Sequence, residues 1–273
     1  MPLQTIEPRR LYRQIADQIR ALVEAGEFAV GARLPPERDL ALQLGVSRPS
    51  VREALIALEI EGLVEVRMGS GIYVLPPRAG AAQDAGVASG AIGEGPLEII
   101  RARQSIEAGL AAQAALAMDR RQLDGLRGSL VLMRQEAAAG KVPADGDRML
   151  HLAIAAASDN SVLLRIVTEL FDERGSPLFA QLSSYFESPG SWRYAIAEHE
   201  AVVDAIAAGD AGAARDAMHR HLGNSYERFN ASWSQAARQR PGAAAAPSSE
   251  ASRAPRRRRA APASGGPSRH PSA

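Results

Sequence analysis

The sequence predicts a mainly α-helical protein with a short β-hairpin near its N-terminus, and three patterns support this prediction. Residues 34–62 hold two short runs of apolar side chains at the 3–4 spacing of a helix face. Residues 63–74 are instead rich in β-branched side chains on both sides of a Gly-Ser-Gly turn, which predicts two paired strands. Apolar side chains at helical spacing then recur through most of residues 96–235, without a strand pattern.

The first short helix is predicted to begin at Glu37, because Pro35 and Pro36 stop a preceding helix and favour a new helix start. Gly45 ends this helix, since glycine readily takes the left-handed conformation that follows a helix C-terminus. Ser47 is a suitable N-cap for the second helix, and the hairpin comes directly after that helix. Helix, turn, helix and hairpin in this order predict a winged helix-turn-helix.

This domain is predicted to span residues 8–76, and the second helix of such a unit reads the DNA major groove with residues near its start. Arg48 suits a bidentate contact to a guanine edge, whereas Ser47 and Arg52 suit contacts to phosphates. Each arginine taken alone is also compatible with solvated surface charge, but the whole set on one small domain favours DNA binding. The candidate DNA-binding residues are Arg38, Ser47, Arg48, Ser50, Arg52, Arg67 and Gly69.

Three segments, LPPERDLA, GVSRPSVREALIALE and GLVEVRMGSGIYV, resemble the N-terminal domain of GntR-type transcription regulators. The resemblance covers the whole predicted domain. It implies that DNA is contacted by the side chains of Arg38, Ser47, Arg48 and Arg52 and by the wing at Gly69. The chain is therefore expected to be a sequence-specific transcription regulator.

Composition excludes several other classes of protein. The 273 residues suffice for two modest domains, each with its own core. The absence of cysteine excludes disulfides and thiolate metal sites and is compatible with the bacterial cytoplasm, where we expect the protein to associate with the nucleoid when it binds DNA. No apolar run approaches the length of a membrane span, and the N-terminus lacks the apolar stretch of a signal peptide, so no membrane partner is expected.

Charge and composition differ between the predicted segments. Residues 1–78 carry a formal net charge of 0, so DNA affinity must come from the placement of arginines on one face. Residues 77–95, rich in Ala and Gly, predict a flexible linker, and residues 96–235 predict an all-α bundle of six or seven helices. Residues 236–273, with a net charge of +7, predict a disordered basic tail. Its arginine run would strengthen non-specific DNA binding, or the tail has no required role.

Four of the five histidines lie in the predicted bundle. Asp147 and His151 are four residues apart and share one helix face, and His199 and His221 lie on two later helices. If these residues converge inside the bundle, one carboxylate and three imidazoles would bind a divalent metal ion. Spacing alone leaves unrelated surface histidines as an equally good interpretation. His219 points away from His221 and is expected to be exposed.

The patterns R-x-x-x-E from Arg103, D-x-x-x-H from Asp147, IAAASDN, EHEAVVDAI and the final HL resemble the FCD effector domain of the FadR subgroup of GntR regulators. The resemblance implies a metal ion, zinc or nickel, that is bound by Asp147, His151, His199 and His221. Coordination positions that these ligands leave open would accept a carboxylate or an α-hydroxy acid. The candidate effector-binding residues are Arg103, Asn160 and Arg174.

Three longer segments, VREALIALEIEGLVEVRMGSGIYVL, GPLEIIRARQSIE and DRMLHLAIAAASDNSVL, resemble regulators of hexuronate utilisation. This resemblance implies a sugar acid such as galacturonate, glucuronate or fructuronate as the effector, whereas related FCD regulators recognise lactate, glycolate, other organic acids or acyl-CoA. For Arg103, a surface ion pair with Glu107 is the alternative role. We expect a homodimeric repressor on a palindromic double-stranded DNA operator, released by the acid.

Two other classes of function remain as alternatives. A metal-dependent enzyme acting on organic acids would need a catalytic motif, but the chain has no HExxH and its Gly-Ser-Gly belongs to the wing turn. Only Glu198 and Glu200 near the proposed ligands could serve as a general base, so we predict that the protein is not an enzyme. An architectural DNA-binding protein with a vestigial bundle would bind no small acid.

Overall fold

The computed structural model describes residues 10–77 and 92–230 of the chain. Most of the predicted linker and the whole predicted tail lie outside the described residues. The described residues are mainly helical, with one two-stranded sheet, which confirms the predicted fold class. None of the described helices has the length and apolar character needed to span a membrane.

The N-terminal part has the element order of a winged helix-turn-helix. Its elements are α1 (Leu11–Glu24), α2 (Glu37–Leu44), α3 (Arg48–Ile60), β1 (Val64–Arg67) and β2 (Gly71–Val74). As predicted, Gly45 ends α2 in the left-handed conformation, with a φ of 67°, and Ser47 caps α3 by accepting a hydrogen bond from the amide of Ser50. The two strands pair antiparallel, with Val64 opposite Val74. The sequence pattern did not single out α1, which packs against α3.

Seven helices form the C-terminal bundle within the described residues. They are α4 (Pro96–Ala117), α5 (Arg120–Ala138), α6 (Ala144–Ala156), α7 (Ser161–Asp172), α8 (Pro177–Phe186), α9 (Pro189–Ala207) and α10 (Ala211–Asn230). Asp119 and Ser188 each form a capping box at the start of a helix, α5 and α9 respectively. Their number agrees with the six or seven helices that the sequence predicts for residues 96–235.

Helices α5 and α6 approach each other closely at Gly146, directly before the first candidate metal ligand. A Cβ atom at this position would lie 2.7 Å from the backbone nitrogen of Met133 and 2.9 Å from the carbonyl oxygen of Ser129. The close backbone contact therefore requires glycine. It brings the neighbouring Asp147 into the interior of the bundle, where its side chain is buried.

The winged helix-turn-helix and the bundle share one hydrophobic core, contrary to the expectation that each domain has its own. Every residue of α3 from 51 to 58 is buried, because α1 and α8 both pack against this helix. The shared core contains Leu55 of α3 together with Leu178 and Leu182 of α8. A second core lies wholly within the bundle.

The last four residues of the predicted linker pack against the folded core. Ile92 is buried, and its carbonyl accepts a hydrogen bond from the amide of Leu178. The side chains of Arg10 and Tyr12 both donate hydrogen bonds to the carbonyl of Gly93. In this structure these residues therefore belong to the folded part of the chain and not to a flexible linker.

Glu53 of α3 is a buried carboxylate where the winged helix-turn-helix meets the bundle. Its side chain accepts a hydrogen bond of 3.0 Å from the amide of Leu97, at the start of α4. Burial raises the pKa of Glu53 from 4.5 to about 7. The folded chain therefore binds a proton at Glu53 more strongly than the unfolded chain, so the free energy of unfolding falls as the pH rises through that interval.

We expect Glu53→Gln to stabilise the protein at pH 8 and to change its stability much less at pH 5. The glutamine can still accept the hydrogen bond from Leu97 but has no charge to desolvate, so the gain at pH 8 is at most about 3 kcal/mol. Urea unfolding at both pH values measures the effect, with Glu169→Gln on the exposed face of α7 as the control. An equal effect of Glu53→Gln at the two pH values would contradict this account.

Candidate metal centre and nucleic-acid interface

One aspartate and three histidines converge inside the bundle. Asp147 and His151 come from α6, His199 from α9 and His221 from α10, and all four side chains are buried. One ligand atom from each residue lies within 4.8 Å of those of the other three. The structure thus brings together the four residues that the sequence indicated as metal ligands, while His219 is exposed, as expected.

The spacing of the ligand atoms suits a shared metal ion. The Nε2 atom of His199 lies 3.2 Å from Oδ1 of Asp147 and 3.2 Å from Nε2 of His151. The Nε2 atom of His151 lies 3.6 Å from the same Oδ1 atom. Ligands at about 2.1 Å from one ion, in tetrahedral or octahedral arrangement, are about 3.0–3.5 Å apart. One carboxylate and three imidazoles therefore fit a divalent ion such as zinc or nickel.

Two further carboxylates hold the histidine rings. The Nδ1 atom of His151 is hydrogen-bonded to Glu107, and Nδ1 of His221 lies 2.9 Å from Oε2 of Glu198. Such contacts orient a ring so that its Nε2 atom faces a metal ion. Sequence reasoning treated Glu107 only as an ion-pair partner of Arg103. Its place on α4, one helical turn after Arg103, was the available signal.

Electrostatics distinguish the members of the cluster. Burial alone would raise the pKa of Asp147, but the charge of Arg174 and two histidine hydrogen bonds outweigh it and hold this pKa well below its ordinary value. Burial, reinforced by the other histidines, lowers the pKa of His221 well below its ordinary value. Burial also opposes the charged form of His151, but the Glu107 carboxylate outweighs it and raises the pKa of that histidine. Asp147 is therefore ionised and His221 neutral at neutral pH, which is the form that binds metal.

A small cavity adjoins the cluster, and three arginines, Arg103, Arg174 and Arg228, border it. Its volume is about 30 Å³, which is room for about two water molecules. Arg103 is buried and donates a hydrogen bond to Glu107, while its Nη2 atom has no hydrogen-bond partner among the described residues. Arg174 is hydrogen-bonded to Asp147. Two of the predicted effector-binding residues therefore lie at the cavity, and the pair of Arg103 with Glu107 is not at the surface.

Asn160, the third predicted effector-binding residue, does not border this cavity. Its side-chain oxygen accepts hydrogen bonds from the amides of Val162 and Leu163, so that it caps α7 from an exposed position. Asparagine is a favoured N-cap because its side chain satisfies amides that lack a partner within the helix. The structure thus corrects the prediction by giving Asn160 a role in helix capping.

Most of the predicted DNA-binding residues are at least partly exposed. They are Arg38, Ser47, Arg48, Ser50, Arg67 and Gly69. Four of them, together with Arg33, border a cleft of about 320 Å³ between the start of α2, the start of α3 and the hairpin. Gly69 has a φ of 77° at the turn of the hairpin, a conformation that favours glycine. Sequence reasoning missed Arg33, although it directly precedes the LPPER segment.

Arg52 is completely buried, which corrects the prediction that its side chain is placed to contact a DNA phosphate. Its Nε and Nη2 atoms each lie 2.9 Å from a carboxylate oxygen of Glu37. Its Nη1 atom donates a hydrogen bond to the main-chain carbonyl of Phe229, near the end of α10. The guanidinium carbon lies 5.1 Å from the centre of the Phe186 ring. In this arrangement the side chain is not accessible to DNA.

Comparison with protein families gives two matches that together cover most of the described residues. Residues 11–74 match the model of bacterial regulatory proteins of the gntR family, and residues 98–224 match the FCD domain. Among solved structures, Escherichia coli McbR/YncC is similar with a TM-score of 0.44 and 22% identity, over 81% of this chain and 98% of that chain.

Several curated relatives are similar over most of their length. The Uxu operon transcriptional regulator of Escherichia coli K12 is 38% identical over 224 residues, which is 81% of this chain and 87% of that protein. The Exu regulon transcriptional regulator of the same organism is 35% identical, over 81% of this chain and 85% of that protein. The putative L-lactate dehydrogenase operon regulatory protein, also from Escherichia coli K12, is 36% identical, over 79% of this chain and 84% of that protein.

Proposed function

Because the chain belongs to the GntR family of bacterial regulatory proteins and carries an FCD domain, we propose that it represses transcription until a small carboxylic acid releases it from DNA. As a member of this family it is a DNA-binding transcription regulator and not an enzyme. In the proposal, the winged helix-turn-helix reads the operator, and the acid binds at the Asp147 and histidine cluster.

The buried guanidinium of Arg103 is the observation that carries this proposal. Its Nη2 atom has no hydrogen-bond partner among the described residues, and the residue borders the cavity beside the cluster. A buried donor of this kind calls for an acceptor, because buried polar groups are nearly always hydrogen-bonded. A carboxylate in the cavity would supply that acceptor and would form a charge-assisted hydrogen bond with the arginine.

A divalent metal ion, zinc or nickel, would be held by Asp147, His151, His199 and His221. When bound, it would supply positive charge and coordination positions for the oxygen atoms of an acid. Arg103 would donate to the carboxylate, and Glu107 and Glu198 would keep the histidine rings oriented.

A sugar acid such as a hexuronate is the effector that we propose first, since the Uxu and Exu regulators are similar to this chain. A smaller acid such as lactate or glycolate is the second candidate. The cavity of about 30 Å³ has room for about two water molecules, so either acid would enter only if the walls move, and the smaller acid needs the smaller movement. Arg174 is the wall residue that could move, because its guanidinium is now hydrogen-bonded to the carboxylate of Asp147. An anionic ligand would compete with Asp147 for this guanidinium.

For DNA recognition we propose a cytoplasmic homodimer on a palindromic operator, with one winged helix-turn-helix at each half-site. The contacting residues would be Arg38, Ser47, Arg48, Ser50, Arg67 and Gly69, with Arg33 as an addition from the structure. Arg52 would join them only after the contacts that bury it are broken.

Thermal unfolding in the presence of small acids tests this proposal. The panel comprises galacturonate, glucuronate, fructuronate, lactate and glycolate, each with and without a chelator. We expect at least one acid, at about 100 times its Kd, to raise the melting temperature by about 5–10 °C, and the chelator to abolish that rise. If no acid raises the melting temperature, or if the rise persists after chelation, acid binding at a metal ion is excluded.

A further inference from the structure

We propose that the bundle latches the DNA-reading helix α3 in an arrangement that competes with DNA, and that residues of the effector cavity form part of the latch. The latch is defined here as three contacts of α3 with the bundle, made by Arg52, Glu53 and Glu59. Its link to an acid rests on the proposed function, but its effect on DNA binding does not.

The first contact hides Arg52, for which the resemblance to GntR-type regulators implies a contact with DNA. The guanidinium of Arg52 is shared between Glu37 within the winged helix-turn-helix and the carbonyl of Phe229 on α10. It also lies over the ring of Phe186 on α8. A DNA phosphate could reach this arginine only if Phe229 and Phe186 moved away from it. DNA and the bundle therefore compete for the same side chain.

The other two contacts are made by Glu59, near the end of α3, and by Glu53, the residue directly after the arginine of the first contact. The hydroxyl of Tyr185 donates to the carboxylate of Glu59, with distances of 2.8 and 2.7 Å to its two oxygens. The Nε2 atom of Gln181 donates to Oε2 of the same carboxylate at 3.0 Å. The amide of Leu97 at the start of α4 donates to Glu53. Separation of α3 from the bundle would break all of these hydrogen bonds together, so they favour the latched arrangement.

The latch and the cavity share residues. Phe186 and Phe229 both border the cavity, and Arg52 contacts the ring of Phe186 and the main-chain carbonyl of Phe229. The neighbouring Arg228 of α10 donates a hydrogen bond to Glu198 of α9. Glu198 in turn orients the ring of His221, which lies on α10 as Arg228 does. An acid that fills the cavity would pack against both phenylalanine rings and stabilise the latched arrangement. Acid binding and release of DNA are thereby coupled through α10.

The latch predicts that its loss tightens DNA binding even without an acid. When only a fraction of the protein is competent to bind, the apparent Kd is the intrinsic Kd divided by that fraction. Tyr185→Phe removes a hydrogen bond to a carboxylate and leaves the ring, so it should raise the competent fraction. We expect the apparent Kd for a duplex selected from random DNA by the wild-type protein to fall by about three- to tenfold.

Tyr194→Phe is the matched control, because Tyr194 is 73% exposed on α9 and makes none of the latch contacts. Gln181→Leu is the second test variant, and it should change the Kd in the same direction. An unchanged or weaker affinity in both Tyr185→Phe and Gln181→Leu, or an equal gain in Tyr194→Phe, would overturn the latch. Acid and added metal are absent from this titration, so its failure would leave the proposed acid response standing.

Hydrogen exchange gives a second readout that a merely structural contact would not change. The amide of Leu97 lies in the first turn of α4, where no carbonyl within the helix can accept its hydrogen, and it donates to Glu53 in the latched arrangement. We expect the peptide containing Leu97 to exchange faster when the full-length protein is bound to the selected duplex. Equal or slower exchange in the DNA complex would contradict release of α3 from the bundle.

Discussion

Replacement of His199 by alanine is expected to abolish metal binding. His199 is completely buried, and its Nε2 atom lies 3.2 Å from both Asp147 and His151, so it is the ligand at the centre of the cluster. Loss of a residue that only orients a ligand already costs about 10–100-fold in metal affinity, and loss of the ligand itself should cost more. The metal content of the dialysed protein, determined by mass spectrometry, measures the effect.

His219→Ala is the matched control, since His219 lies on α10 two residues before His221 but is exposed. We expect this variant to retain one metal ion per chain. A His199→Ala variant that is folded and keeps its metal ion would contradict the assignment of the cluster. So would a His219→Ala variant that loses the ion.

The second large effect is expected at Arg48, where alanine should remove discrimination between the operator and a mismatched duplex. Arg48 is exposed at the start of α3 and is held by Glu37, whose Oε1 atom lies 2.9 Å from its Nε atom. A bidentate contact to guanine contributes about 1–3 kcal/mol of discrimination. The ratio of the two Kd values should therefore fall by about 5–150-fold, as measured by fluorescence anisotropy at fixed salt.

Arg165→Ala serves as the control, because Arg165 is exposed on α7 and its only described ion pair, with Glu169, is at the surface. Its loss should leave the ratio unchanged. Full discrimination by Arg48→Ala would remove Arg48 as the base-reading residue, and an equal loss in Arg165→Ala would point to a general charge effect.

The winged helix-turn-helix was predictable because its signals are local. Gly45 and Ser47 each specify a helix end through their own backbone or side chain. Contacts between distant segments have no such local signal, which is why the burial of α3 was not predicted. Burial of α3 against α8 depends on the packing of segments more than 100 residues apart, such as Leu55 and Leu178, and no short pattern records such contacts.

The candidate site was predictable in its ligands but not in their surroundings. Asp147 and His151 share a helix face by spacing, His199 and His221 were candidates as histidines of later helices, and the family resemblance implied that all four bind one metal ion. The position of Arg52 could not be read from its motif, because the partner that hides it is a main-chain carbonyl on α10. The capping role of Asn160 could not be read from its polarity alone, because the same side-chain oxygen suits a helix N-cap and a ligand contact equally.

The central claim is that an acid bound at the metal ion controls the reading of DNA. The most direct test titrates the metal-loaded protein onto its selected operator with increasing concentrations of the acid that stabilises it, and repeats the titration after chelation. We predict that the acid raises the operator Kd by about 5–150-fold, as a coupling of 1–3 kcal/mol requires, and that chelation removes this effect. An operator Kd that the acid leaves unchanged, or raises equally without the metal ion, would contradict the account.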